Sequence, residues 1–244
     1  MKISIISKDN RFRFVKDTLV ANGHGCSICD VDTYCESDVI LLSPRAELSD
    51  KELYRLLSRV DKKTTVFCGN GSAVKGYFEG RVLDYSDNEA FLCENAYITA
   101  QCALKLTLDN IDTVLHGKKA LVVGYGRIGK YLASMLRALN AVVFVYARRQ
   151  ESLLDASYNG CIPISLDNSL APELDLVYNT VPEIIIGKDF TDMLSNKSLI
   201  FELASPPGGF EDTSRVITAR GLPGKMLQKS GANAISDFVL RNLS

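Results

Sequence analysis

The 244-residue chain is short of several things, and each shortage removes a class of function. It has no excess of either charge sign: 28 Lys and Arg stand against 29 Asp and Glu, a net charge of -1. No basic field therefore draws it to nucleic acid or to an anionic membrane. No window approaches the roughly 18 unbroken apolar residues of a membrane span. The opening Met1-Lys-Ile-Ser-Ile-Ile-Ser-Lys8 carries too short an apolar stretch for a signal peptide. Only two histidines are present, His24 and His116. Neither has an obvious acid partner, so neither a Ser–His–Asp set nor a histidine-based dehydrogenase site is indicated. The seven cysteines are an odd number, scattered from Cys26 to Cys161. That suits reduced thiols, and a cytoplasmic protein is expected. Cys26 and Cys29 form a Cys-x-x-Cys beside His24 and Asp30, but no second ligand pair follows. Cys26 to Val31 therefore reads as a half-buried strand with small apolar side chains rather than a metal or redox site.

What is present is an alternation of strands and helices. Strands are expected at Lys2 to Ile6, Asp38 to Ser43 and Thr64 to Phe67. A helix is expected from Arg11 to Asn22, stopped by Gly23, and another from a Ser49 cap with Glu52 three residues on. Such alternation means parallel βαβ units, so residues 1–88 read as an α/β domain of their own. Residues 89–112 read as a bridging helix, 113–225 as a second α/β domain, and 226–244 as a C-terminal helix returning toward the first. The fold class expected is two Rossmann-like, doubly wound parallel-sheet domains with a cleft between them.

The second domain opens on Lys119-Ala-Leu-Val-Val-Gly124-Tyr-Gly126-Arg127-Ile128-Gly129. A strand ends in Gly-x-Gly-x-x-Gly and an amphipathic helix follows, with Ile128, Tyr131, Leu132, Met135, Leu136 and Leu139 on one face. Gly124 allows the tight turn, Gly126 lets the backbone approach a pyrophosphate, and Gly129 lets helix and strand pack closely. The phosphates would rest on N–H groups at the helix N-terminus. The next strand, Ala141 to Tyr146, ends in Ala147-Arg148-Arg149, where an NAD-type fold usually carries an acid for the ribose 2′-hydroxyl. Two arginines there suit a 2′-phosphate, so NADP is expected over NAD. Asn179-Thr180-Val181-Pro182 and Ala204-Ser205-Pro206-Pro207-Gly208-Gly209 end two later strands. Ligands of open α/β sheets lie beyond the strands' carboxyl ends, so both loops are expected to line the crevice. Asn95 and Thr99 lie four apart on the bridging helix, and Lys229-Ser230 precede the last helix.

Taken in order, these segments resemble the NAD(P)-binding subunits of dipicolinate synthase, used in bacterial sporulation. The resemblance rests on Asn95-Ala-Tyr-Ile-Thr99-Ala, Gly124-Tyr-Gly-Arg-Ile-Gly129, Tyr146-Ala-Arg148, Asn179-Thr-Val-Pro182, Glu202-Leu-Ala-Ser-Pro-Pro-Gly-Gly209 and Gly221-Leu-Pro-Gly224 with Lys229-Ser230. The glycine fingerprint alone also fits 2-hydroxyacid dehydrogenases and adenosylhomocysteinase-like domains. The resemblance implies oxidation of dihydrodipicolinate, or of its hydroxylated precursor after water loss, to dipicolinate, with NADP as hydride acceptor. It also implies a second, flavoprotein-like polypeptide as partner, and a small dicarboxylate substrate held by Asn95, Thr99, Ser205 and Lys229. A homo-oligomer is expected. After Thr99 the family often has an acid and a glycine, where this chain has Gln101-Cys102. Two further readings therefore stay open: a 2-hydroxyacid-type dehydrogenase, and a non-catalytic nicotinamide-binding regulatory subunit.

Overall fold

The computed structural model describes residues 1–44, 47–166 and 169–243. The chain divides into two compact units: Met1–Asn95 together with the chain from Pro223 on, and Ala96–Leu222.

The first unit begins β1 (Lys2–Ile6), α1 (Arg11–Ala21), β2 (Gly25–Ile28), β3 (Val39–Leu42), α2 (Asp50–Leu57), β4 (Thr65–Cys68), α3 (Gly71–Lys75) and β5 (Arg81–Asp84). The strands pair in parallel in the order β2-β1-β3-β4-β5, the flavodoxin-like arrangement of doubly wound sheets. β3 is buried at all four positions, the pattern of a central strand covered on both faces. Ser49 and Glu52 close a reciprocal capping box at the start of α2. α3 and β5 are absent from the sequence reading. β5 is a partly exposed edge strand without an apolar run, so periodicity does not reveal it. Its Asp84 accepts the Gly71 N–H at 2.5 Å, which binds strand and helix start together.

α4 (Glu89–Asp109) is one continuous helix, and the boundary between the units falls inside it. The second unit follows as β6 (Lys119–Val123), α5 (Arg127–Ala138), β7 (Val142–Tyr146), α6 (Gln150–Tyr158), β8 (Ile162–Pro163), β9 (Leu176–Asn179), α7 (Lys188–Met193), β10 (Leu199–Glu202) and β11 (Val216–Thr218). Its sheet runs β11-β10-β9-β6-β7-β8, all parallel. Counted from β6 as the first strand, that is the 3-2-1-4-5-6 order of dinucleotide-binding folds. The buried hydroxyls of Thr107 and Tyr178 meet at 2.7 Å and fasten α4 to β9.

The chain ends with α8 (Leu222–Lys225) and α9 (Gln228–Asn242). The sequence assigns no element to Gly221-Leu-Pro-Gly224, yet it opens α8. In the first unit Phe238 of α9 packs against Phe67, Tyr85 and Phe91. Burying a side chain of this size contributes about 2–3 kcal/mol. Among the described residues no helix is long and apolar enough to cross a membrane.

β2 stops at Ile28, short of the strand expected to Val31. All seven cysteines are free, and no group of metal-ligating side chains occurs among the described residues. Burial pushes the Cys26 thiol up to about 11, only partly opposed by Lys16, and burial also pushes Cys29 up. Such thiols are protonated and slow to react near neutral pH. At pH 8 a maleimide is therefore expected to label exposed Cys35 first. Buried Cys68 and Cys102 should react only on unfolding. Labelling of Cys26 and Cys29 faster than Cys35 in a time course would restore the redox reading.

Candidate functional site

The carboxyl ends of β6, β7 and β9 lie level in the second unit: Val123 registers with Tyr146 on one side and Asn179 on the other. The glycine turn sits just beyond them. The Gly124 N–H donates to Tyr146 O at 2.8 Å, and Thr180 Oγ1 donates to Val123 O at 2.9 Å. The turn is thus tied to both neighbouring strand ends.

The three glycines meet different surroundings. Gly124 has φ +94°, and a Cβ there would collide with Thr180 and Val181. A Cβ on Gly129 would collide with the Gly124 carbonyl. Both are required for packing, the first also for its backbone conformation. Gly126 is different: its φ is -81°, and an added Cβ would meet no protein atom within 4 Å. Nothing in the protein demands glycine there, so the missing side chain leaves open space beside the start of α5. No side chain caps that helix and no acid lies in its first turn. A 12-residue helix with this N-terminus favours an anion. The residues fit a dinucleotide pyrophosphate.

Arg127 is exposed and Ile128 half-buried at the helix start. Tyr125, between the first two glycines, is buried, and burial beside Cys161 and Asp155 pushes its phenol up to about 12. Sequence reasoning misses this residue, because the second position of the fingerprint carries no side-chain requirement.

Arg148 and Arg149 are exposed just past β7. The Arg148 guanidinium pairs with Glu183 at 2.7 Å, a partner that sequence reasoning does not identify. Pro182, next to Glu183, is exposed and Val181 half-buried.

Asn179, expected at the cofactor crevice, turns its side chain into the protein. It is 0% exposed. Its Nδ2 donates to Val181 O and Glu202 Oε1, both at 2.8 Å, and its Oδ1 accepts the Val181 N–H. Both ends of the amide are thus engaged inside the protein, tying the end of β9 to Val181 and Glu202. Thr180 likewise directs its hydroxyl to backbone. Ala204 is buried, its N–H donated to Glu202.

Glu202 joins these loops. It is 2% exposed, at the last position of β10. Its carboxylate accepts from Asn179 Nδ2 at 2.8 Å, Ala204 N at 2.9 Å and Gly209 N at 2.7 Å. Arg220 binds the same loop from outside, through Ala204 O at 2.7 Å and Pro207 O at 3.3 Å. The signal for Glu202 is in the sequence: an acid closes the otherwise apolar strand Leu-Ile-Phe-Glu. A buried carboxylate must have such partners.

Of the residues expected to hold substrate, Ser205 and Thr99 belong to the second unit, and Asn95 and Lys229 to the first. Ser205 is exposed on the loop beyond β10, and Thr99 is buried in α4. Asn95 is half-buried, one turn before Thr99. Lys229 is exposed, its ammonium 5.7 Å from the centre of the Phe14 ring. Gln101 is exposed and donates to Tyr97 Oη at 3.4 Å, whereas Cys102 lies in the core.

Comparison with known proteins agrees with this geometry. Residues 97–200 match the NAD-binding domain of the D-isomer specific 2-hydroxyacid dehydrogenases. A dipicolinate synthase subunit of Bacillus subtilis is 24% identical over 200 residues, 77% of this chain and 67% of that protein. The solved structure of the corresponding dipicolinate synthase subunit from Bacillus halodurans superposes with a TM-score of 0.83 at 18% identity, covering 99% of this chain and 97% of that one. The solved Bacillus subtilis dipicolinate synthase structure gives 0.81 at 20% identity, covering 100% and 95%. The chain therefore resembles this dipicolinate synthase subunit in sequence and fold, and the greater part of its second unit matches the NAD-binding domain of the 2-hydroxyacid dehydrogenases.

Proposed function

We propose that the protein is an NADP-preferring oxidoreductase that converts dihydrodipicolinate to dipicolinate, as a counterpart of the dipicolinate synthase subunit it resembles. The observation that carries the dinucleotide part is the open space at Gly126, beside a helix start without side-chain cap or acid. The substrate part rests on the similarity to that dipicolinate synthase subunit over 77% of the chain.

In this reading the backbone at Gly126, Arg127 and Ile128 holds the pyrophosphate, and Arg148, with Arg149, holds the 2′-phosphate. Exposed Pro182 and half-buried Val181 face the cofactor, while Asn179, Thr180 and Ala204 keep its wall in shape. NADP held at this turn would supply the hydride acceptor. One ring C–H bond breaks to supply that hydride, and a proton leaves, so the product ring becomes aromatic. Aromatisation supplies the driving force, which leaves the protein mainly the work of positioning. Asn95, Thr99, Ser205 and Lys229 are assigned to the ring and its two carboxylates. A second polypeptide, flavoprotein-like, belongs to the same reading as partner, as does a homo-oligomer.

The 2-hydroxyacid dehydrogenase reading is disfavoured, because the sequence shows no arginine, acid and histidine set. The regulatory reading draws on Gln101, an amide where the related family often has an acid.

Two measurements test the proposal. Titration calorimetry should show NADPH binding more tightly than NADH, the difference disappearing in Arg148→Ala. Dihydrodipicolinate, supplied enzymatically with NADP, should yield the ultraviolet absorbance of dipicolinate. Cofactor binding without dipicolinate, with or without a flavoprotein partner, would overturn the reaction and leave the regulatory role.

A further inference from the structure

We infer that Glu183 determines cofactor selectivity: its carboxylate competes with the 2′-phosphate of NADP(H) for Arg148 and serves the unphosphorylated ribose of NAD(H) in its place. This rests on the reading that Arg148 faces the adenosine ribose.

Strand order brings the two side chains together. β9, β6 and β7 are neighbours, and their ends lie level. Arg148 stands two residues past the end of β7, and Glu183 four past the end of β9. Their 2.7 Å ion pair therefore crosses the end of β6, where the glycine turn lies. Both flanks are anchored to that turn by the Gly124–Tyr146 and Thr180–Val123 hydrogen bonds. A dinucleotide laid on the turn meets the pair directly.

The pair is made to be exchanged. Its side chains are 65% and 53% exposed, and ion pairs so exposed contribute little to stability. A phosphate offers arginine a stronger, bidentate partner. While Glu183 is charged, the phosphate must displace it and then remain beside its negative charge. An NAD ribose presents a hydroxyl there, which can donate to the same carboxylate. In most folds of this kind the acid for that hydroxyl follows the second strand. Here that place holds Arg148, and the carboxylate Arg148 reaches arrives from the far side of the turn. The acid thus opposes the preference that the arginine creates.

The test uses the full-length protein and four forms: wild type, Glu183→Gln, Arg148→Ala and the double variant. Dissociation constants for NADPH and NADH are measured by calorimetry, with circular dichroism to confirm folding, which these exposed positions should not disturb. Glu183→Gln is expected to shift the preference about 10-fold toward NADPH, chiefly by tightening it. In the Arg148→Ala background the same substitution should shift the preference less, because the guanidinium for which the two anions compete is gone. If Arg148→Ala lowers the NADPH preference but Glu183→Gln leaves it within about twofold of wild type, the inference is overturned while the role of Arg148 stands. If Arg148→Ala leaves the preference unchanged, both fall together.

Discussion

Gly126→Ala is expected to leave the chain folded and to weaken NADPH binding about 30-fold, whereas Gly129→Ala and Gly124→Ala should damage the fold itself. All three positions belong to one sequence motif, and the structure separates their roles. The backbone of Gly126 lies at φ -81°, open to any residue, and a Cβ there meets nothing within 4 Å. The cost to stability is that of a poorer helix cap, up to about 1 kcal/mol. A methyl group placed between turn and pyrophosphate would lengthen charge-assisted hydrogen bonds worth about 2 kcal/mol, which corresponds to the 30-fold figure. Gly129→Ala forces a methyl group onto the Gly124 carbonyl, and overpacking of this kind costs about 1–3 kcal/mol. Gly124→Ala adds a strained backbone to a collision with Thr180 and Val181. Calorimetric melting and NADPH titration of the three variants check this. A Gly126→Ala protein that binds NADPH like wild type would remove the central support for a dinucleotide at this turn.

Glu202→Ala should cost about 3–5 kcal/mol and lower the melting temperature by about 10 °C, the largest stability effect expected in the second unit. The substitution leaves three buried N–H groups without their acceptor: one of the two on Asn179 Nδ2, the other still bonded to Val181 O, and those of Ala204 and Gly209. Each unsatisfied group costs about 1–3 kcal/mol, less whatever water or relaxation recovers. Glu202→Gln keeps the shape and should lose less. Its remaining oxygen can serve Asn179 and Ala204, but its amide N–H would face the N–H of Gly209. Melting followed by circular dichroism checks the ranking of wild type, Gln and Ala. A Glu202→Ala protein melting within about 2 °C of wild type would show that these loops do not depend on the buried carboxylate.

The second unit is the more legible from sequence, for reasons particular residues show. The run Ala120 to Val123 is buried throughout, and a glycine fingerprint follows it, so strand, turn and helix are all written in local chemistry. α5 presents its apolar face at helical spacing, with Leu132, Ala133 and Leu136 buried. β5 and α3 in the first unit are not legible, because a four-residue edge strand and a five-residue helix carry too little periodicity to register. α7 escapes for the same reason. Within the site, sequence points to segments better than to contacts. Asn179-Thr180-Val181-Pro182 is expected at the crevice, yet the first two side chains turn inward to Glu202 and to the backbone of Val123.

Residue order alone therefore determined the α/β class, the βαβ alternation and the place of the glycine turn, since each follows from local propensity, hydrophobic period and glycine sterics. Only the tertiary structure decided which groups meet. Parallel pairing brings Glu202 to Asn179 across 23 positions, and strand order brings Glu183 to Arg148 across the turn. A charge finds its partner by the path of the chain through space, and no local pattern records that path.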